Sequence, residues 1–107
     1  MSMVDAISIL NYVIKLEKED KCKIKSLSYT SYANKPFRIT ISANTDIVKA
    51  VEKEFFSGLE KISDYELGAY DKVYLYIDMN SKEVKGKIKV RKLRESEYDI
   101  LIELPFH

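Results

Sequence analysis

The stretch VYLYIDMNSKEVKGKIKVRK, Val73 to Lys92, gathers the side chains with the most to offer a ligand. Tyr74 and Tyr76 stand on one side of a polar tip, and Lys85, Lys87, Lys89, Arg91 and Lys92 on the other. Aromatic rings beside cations are the ingredients of single-strand nucleic-acid platforms, because every base has a face to stack and every phosphate a charge to neutralise. The same ingredients serve an amphipathic surface whose rings and lysine stems are covered by a partner protein. Sequence detail favours the second use. No RNP-like run of glycine and aromatics, no GXXG clamp and no helix-turn-helix pattern occurs. The chain as a whole, with 18 basic and 17 acidic side chains and a net charge of +1, also lacks the basic excess of a nucleic-acid-binding domain.

Other chemistry has little to work with. The one histidine is His107, the last residue, where a base or metal ligand would act from a chain end. Glycine occurs at 58, 68 and 86, which provides neither a phosphate-cradling loop nor a dinucleotide fingerprint. Glu17, Glu19 and Asp20, or Glu52 and Glu54, are conceivable metal ligands, but the first group sits among lysines at a helix end. The second pair is two residues apart, a spacing that points the carboxylates away from each other on a helix. Cys22 is the only cysteine, so no intrachain disulfide or cysteine zinc cluster can form, and a buried spectator thiol in a reducing compartment is expected. The segment MSMVDAISILNYVIKL lacks a basic leader and a small-residue cleavage pattern, carries Asp5, and is too short and too polar to span a bilayer. The expectation is a cytoplasmic protein that is not an enzyme, takes no cofactor or metal, and does not enter a membrane.

The elements that must position these residues are read from periodicity. The 107 residues, 46% hydrophobic and 33% charged, suit one soluble domain over 1–107 with a single core. Ser2 and Asp5 resemble a capping box, and Val4, Ile7, Leu10 or Asn11, and Ile14, with Ala6, Ile9 and Val13 beside them, predict a helix from about Met3 to Glu17 that the run KEDK ends. Lys23 to Tyr32 and Pro36 to Ala43 read as strands joined by the turn SYANKP. Thr45 can cap a second helix whose stripe Ile47, Val51, Phe55, Leu59 and Ile62 predicts core, with a weak point at Gly58. After a connection from Ser63 to Asp71, the chain reads as a meander of three strands.

Register follows from keeping apolar residues together. With Asn80 and Ser81 at the first tip, Ile77, Leu75 and Val73 fall opposite Val84, Gly86 and Ile88 on the core face. The other face then carries Tyr76 opposite Lys85, Tyr74 opposite Lys87 and Lys72 opposite Lys89. With Glu95 at the second tip, Val90 meets Ile100, Ile88 meets Ile102 and Lys92 meets Tyr98, while Arg91 meets Asp99 and Lys87 meets Glu103. The expected fold is α+β, an antiparallel sheet of about five strands in the chain order α-β-β-α-β-β-β, with both helices on one face and a C-terminal three-strand meander. Its open face should bind a partner through Tyr74, Tyr76, Lys85, Lys87, Lys89 and Leu101. Elimination leaves a small non-catalytic protein-binding domain, an inhibitor or immunity-type protein that neutralises a toxin or effector, as the leading function. A single-stranded nucleic-acid binder on the same face is the alternative, and a metal-free carboxylate enzyme or small-ligand carrier with a pocket between helices and sheet comes third. Oligomeric state is left open.

Overall fold

The computed structural model describes residues 3–28, 36–64 and 68–105. Most of the expected SYANKP turn, the end of the first expected strand, Ser2 of the expected capping box and His107 lie outside the described residues. Helix α1 (Met3–Lys18) is followed by strands β1 (Cys22–Ser28) and β2 (Phe37–Ala43), helix α2 (Asp46–Phe55), and strands β3 (Glu60–Asp64), β4 (Lys72–Ile77), β5 (Val84–Arg94) and β6 (Glu97–Leu104). The strands form one antiparallel sheet of six in the order β1-β2-β6-β5-β4-β3. This is the expected α+β class, with β4-β5-β6 as the expected meander and β3 as an additional strand.

Both helices pack on one face. Ala6, Ile9, Val13 and Leu16 of α1 and Ile47, Val48 and Val51 of α2 share a buried cluster with Phe37, Ile39, Ile41, Ile88, Val90, Ile100 and Ile102 of the sheet. The buried side of α1 is the row that holds Ile9 and Val13, whereas Ile7 remains 49% exposed. Helix α1 ends in a Schellman turn, in which the amide of Asp20 bonds the Glu17 carbonyl and that of Lys21 the Leu16 carbonyl. Asp20 takes the left-handed conformation that glycine usually supplies there, with φ 59°.

Helix α2 departs from expectation at both ends. Thr45 is itself helical and makes no side-chain cap bond; the Asn44 carboxamide oxygen accepts from the Asp46 amide at 3.2 Å instead. The helix stops at Phe55, and the backbone of Phe56 leaves the helical path at φ −120°, ψ 16°. Gly58 then turns the chain at φ 80°. Ile62 is therefore not on the α2 stripe but on the edge strand β3, 39% exposed. It is Phe56, 5% exposed, that enters the core, while Phe55 lies half-buried edge-on to Tyr12.

The two hairpins of the meander fare differently. All five expected β5–β6 pairs occur, including Arg91 with Asp99 and Lys87 with Glu103. In β4–β5 only Ile77 with Val84 survives; beyond it the pairs are Tyr76 with Gly86, Tyr74 with Ile88 and Lys72 with Val90. Lys85 is an extra residue, a β-bulge, and one extra residue exchanges the faces of everything beyond it. Tyr74 and Tyr76 thus face the helices, and Val73 and Leu75 face the other side, where Val73 is still buried at 3% exposed but outside the main cluster; the expected faces are reversed.

Candidate functional site

The side of β2, β6 and β5 that faces away from both helices is organised around two carboxylates. On β6, Asp99 and Glu103 flank Leu101; on β5, Lys87, Lys89 and Arg91 stand opposite Glu103, Leu101 and Asp99; on β2, Arg38, Thr40 and Ser42 stand opposite the same three. Strand alternation with an apolar row on the helix side sets this arrangement, because the polar row of each strand has nowhere else to go. Lys25 joins from β1, whose own bulge lies between Ile24 and Ser26.

Contacts follow from that register. Asp99 accepts hydrogen bonds from Lys25 Nζ and Arg91 Nη2, each at 2.7 Å. Burial pushes the Asp99 carboxyl up, but the hydrogen bonds and charges of Lys25 and Arg91 outweigh it and hold the group below its ordinary range. Glu103 pairs with Arg38 at 3.1 Å. Tyr70, from the connection before β4, lies under Lys89 Nζ at 5.5 Å and under the Arg91 guanidinium at 6.0 Å, both within cation-π range. The acids are covered while their partners are not. The side chains of Asp99 and Glu103 are 4% and 12% exposed, those of Lys25, Arg38 and Arg91 43%, 52% and 42%.

Of the six residues expected to meet a partner, Lys87, Lys89 and Leu101 are brought together here. Leu101 is 8% exposed, so it serves as floor between its charged neighbours and contributes little outer surface. Lys85 sits apart in the bulge, paired with Glu83 at 2.9 Å. Tyr74 and Tyr76 are on the other side of the sheet. Tyr76 is 2% exposed, stacks on Phe56 at 4.4 Å between centroids, and donates its hydroxyl to Glu52 at 2.5 Å. Glu52 also pairs with Lys61 at 2.7 Å, and Lys61 lies over the Tyr74 ring at 4.2 Å. Burial, then the bond to Glu52 and the nearby negative charge, push the Tyr76 phenol far above its ordinary value.

Strand alternation in the sequence pairs Arg91 with Asp99 and Lys87 with Glu103, but it does not reveal Lys25, Arg38 or Tyr70 as members of this face. Arg38 was legible as a member of the polar row of β2; the missing information was that β2 neighbours β6. Lys25 and Tyr70 reach the face through a bulge and a connection, for which no periodic signal exists. Cys22 is half-buried with its thiol directed at the Val13 carbonyl at 3.7 Å, and burial followed by Glu17 pushes the thiol up, away from reactivity. Among the described residues no three His, Cys, Asp or Glu side chains converge as a metal site requires, and no helix is long and apolar enough to cross a membrane. No protein-family model matches the chain, and no curated protein or solved structure matches it either.

Proposed function

We propose that the chain is a small non-catalytic protein-binding domain that receives an acidic surface of its partner on the open face of β2, β6 and β5. The observation that carries this reading is the pinning of Lys25, Arg38 and Arg91 by the covered carboxylates Asp99 and Glu103, with the outer parts of all three cations still exposed. Long cationic side chains ordinarily lose rotamer freedom when a partner fixes them, at a cost of about 0.5 to 1.5 kcal/mol each. Here buried acids have already restricted them, so the cost of association is reduced and its electrostatic guidance retained. An inhibitory or immunity-type role, in which the domain covers and neutralises its partner, belongs to the same proposal.

The experiment is capture of partners from the native cell by the parent chain and by an Arg38→Gln, Lys89→Gln, Arg91→Gln variant, with cross-links mapped by mass spectrometry. The reading expects a partner held by the parent, cross-linked near β5 and β2, and lost from the variant although the variant still folds by circular dichroism, with a lowered melting temperature because Asp99 and Glu103 each lose a cation. A partner retained by the variant sinks the open-face assignment. Oligonucleotide binding that weakens steeply with salt and is lost in the same variant would replace the protein-binding reading with the nucleic-acid one.

A further inference from the structure

The helix side of the sheet holds a feature that open-face binding does not use. Between the N-terminal half of α2 and the strands lies a cleft of about 490 Å³, a size suited to a small organic molecule. Val48 of α2 and Val90 of β5 form its nearly buried base, and the partly exposed Tyr74 and Tyr98 line it as well. Register fixes the spacing of the two tyrosines. Tyr74 is level with Ile88 and Tyr98 with Lys92, so their backbone positions lie diagonally across Val90, roughly 13 Å apart along the strand direction.

Charge in the cleft is unequally used. Of its carboxylates, Glu52 is committed to the Tyr76 hydroxyl and to Lys61, and Asp71 accepts the Lys92 amide at 2.7 Å; Asp46 stands at the start of α2. Lys49 and Lys72 have no ion pair among the described residues, and Lys92 reaches only Glu95, at 3.4 Å, whose side chain is 91% exposed. Lys72 is level with Val90 on β4, Lys92 is two residues along β5 from Val90, and Lys49 enters from α2. Three lysines without a buried partner therefore line the same cleft as Val90 and the two tyrosines.

We propose that this cleft binds a small amphipathic organic anion, with its phosphate or carboxylate among Lys49, Lys72 and Lys92 and its apolar or aromatic body on Val90 and Tyr98. The base supplies the apolar burial that most ligand affinity comes from, and the lysines supply orientation and the preference for an anion. Asp46 at the α2 end and Asp71, whose charge the Lys92 amide does not neutralise, disfavour a second negative charge, so a ligand with one anionic pole is favoured over one charged throughout.

Amide chemical-shift titration of the full chain tests this with three probes: 2-naphthoate, adenosine monophosphate and the uncharged 2-naphthalenemethanol. At least one anion should saturate with a Kd of about 1 mM or tighter and shift the amides of Lys72, Val90 and Tyr98. The uncharged probe should bind at least about tenfold more weakly than naphthoate. Comparison of the tighter-binding body carrying a carboxylate with the same body carrying a phosphate then identifies the headgroup. The Lys49→Gln, Lys72→Gln variant, altered at two exposed positions, should weaken the better anion by about tenfold and leave the melting temperature in place. The Arg38→Gln, Lys89→Gln, Arg91→Gln variant should bind it as the parent does, which separates this site from the open face. Absence of saturation with both anions, equal binding of the uncharged probe, shifts centred away from the cleft, or an unweakened lysine variant would each overturn the proposal.

Discussion

The hairpins β4–β5 and β5–β6 share a strand but place their irregularities differently. In β5–β6 the register shift lies between Lys92 and Arg94, next to the Glu95-Ser96 turn, where it displaces only chain that is already exposed. In β4–β5 the bulge at Lys85 lies between the turn and the ladder, so it decides which residues of β4 face the helices. The turn itself is well built: the Asp78 carboxylate accepts from the Asn80 and Ser81 amides at 2.8 and 3.2 Å, and Lys82 adopts φ 62°. A sound turn therefore does not determine the faces of its hairpin.

What determines them is the helix above. Phe56 needs a flat surface and a space, and adjacent strands provide both: Tyr76 stacks on the ring, and Gly86, opposite Tyr76, leaves room for its edge. A Cβ at Gly86 would stand 2.3 Å from Phe56 Cε1. Glu52 completes the arrangement by accepting from the Tyr76 hydroxyl, which makes burial of a tyrosine affordable in hydrogen-bond terms. With β6 no such help is needed, because one row is Ile100 and Ile102 and the other contains Asp99 and Glu103. A slip by one residue would put those carboxylates under the helices.

The largest effect should come from the residue that imposes the β4–β5 register. Phe56→Ala is expected to destabilise the domain by about 3 to 5 kcal/mol, and Phe55→Ala, at a half-buried position, by roughly half as much or less. Urea denaturation of the two variants checks this; equal losses would mean that the ring against Tyr76 is no more important than the ring against Tyr12. Gly86→Ala comes next, at about 1 to 3 kcal/mol through overpacking against Phe56. A Phe56→Leu, Gly86→Ala double variant should lose less than the sum of its single changes, because the smaller side chain removes the collision.

Much of this structure is legible in sequence wherever a strand has one apolar row and one polar row. That condition holds for β2, β5 and β6, and the β5–β6 pairing follows residue by residue. It fails for β4, where Val73, Leu75 and Ile77 on one side compete with Tyr74 and Tyr76 on the other. Alternation cannot choose between two rows that can both be buried, and the deciding contact comes from Phe56, a residue that the helical stripe passes over in favour of Phe55. Helical spacing also carries through Gly58 to Ile62, although the chain has turned by then. Strand β3 escapes notice because Glu60, Lys61 and Asp64 dilute its signal. The open-face charges were half legible for a related reason: cross-strand partners are readable within a hairpin, whereas the β2–β6 pairing that adds Arg38 joins strands distant in sequence.

A smaller effect isolates the tyrosine hydroxyl. Tyr76→Phe keeps the ring and loses the bond to Glu52, for about 1 to 2 kcal/mol at neutral pH. Because the folded phenol is raised well above its ordinary value of 10.0, the unfolded chain releases this proton first as pH rises. The corresponding stability is complete below about pH 10 and declines above it. Melting temperature should therefore fall less steeply above pH 10 in the variant than in the parent. It should still fall, since burial and then the charges of Glu54 and Glu19 also raise the Tyr12 phenol. Parallel alkaline limbs would show that Tyr76 does not carry the dependence.

The smallest expected effect belongs to the residue that creates the difference between the hairpins. Ile77 pairs with Val84, and Tyr76 pairs with Gly86, so between Val84 and Val90 Lys85 is the one residue of β5 without a counterpart in β4. Deleting it would join Val84 to Gly86 and place both sides of the former bulge in one register. Val84 would stay on the open face with Ile77, and Gly86 would stay under Phe56, so no core residue would change sides. The ion pair lost with it, to Glu83, is an exposed one of little consequence. The deletion should accordingly shift stability by about 1 kcal/mol or less, where removal of one residue from a regular strand would reverse every side chain beyond it. Deleting Lys87, which does have a partner in both neighbouring strands, provides that contrast and should unfold the domain. If the Lys85 deletion unfolds it as well, the local twist of the bulge, and not only its residue count, is what aligns Tyr76 with Phe56.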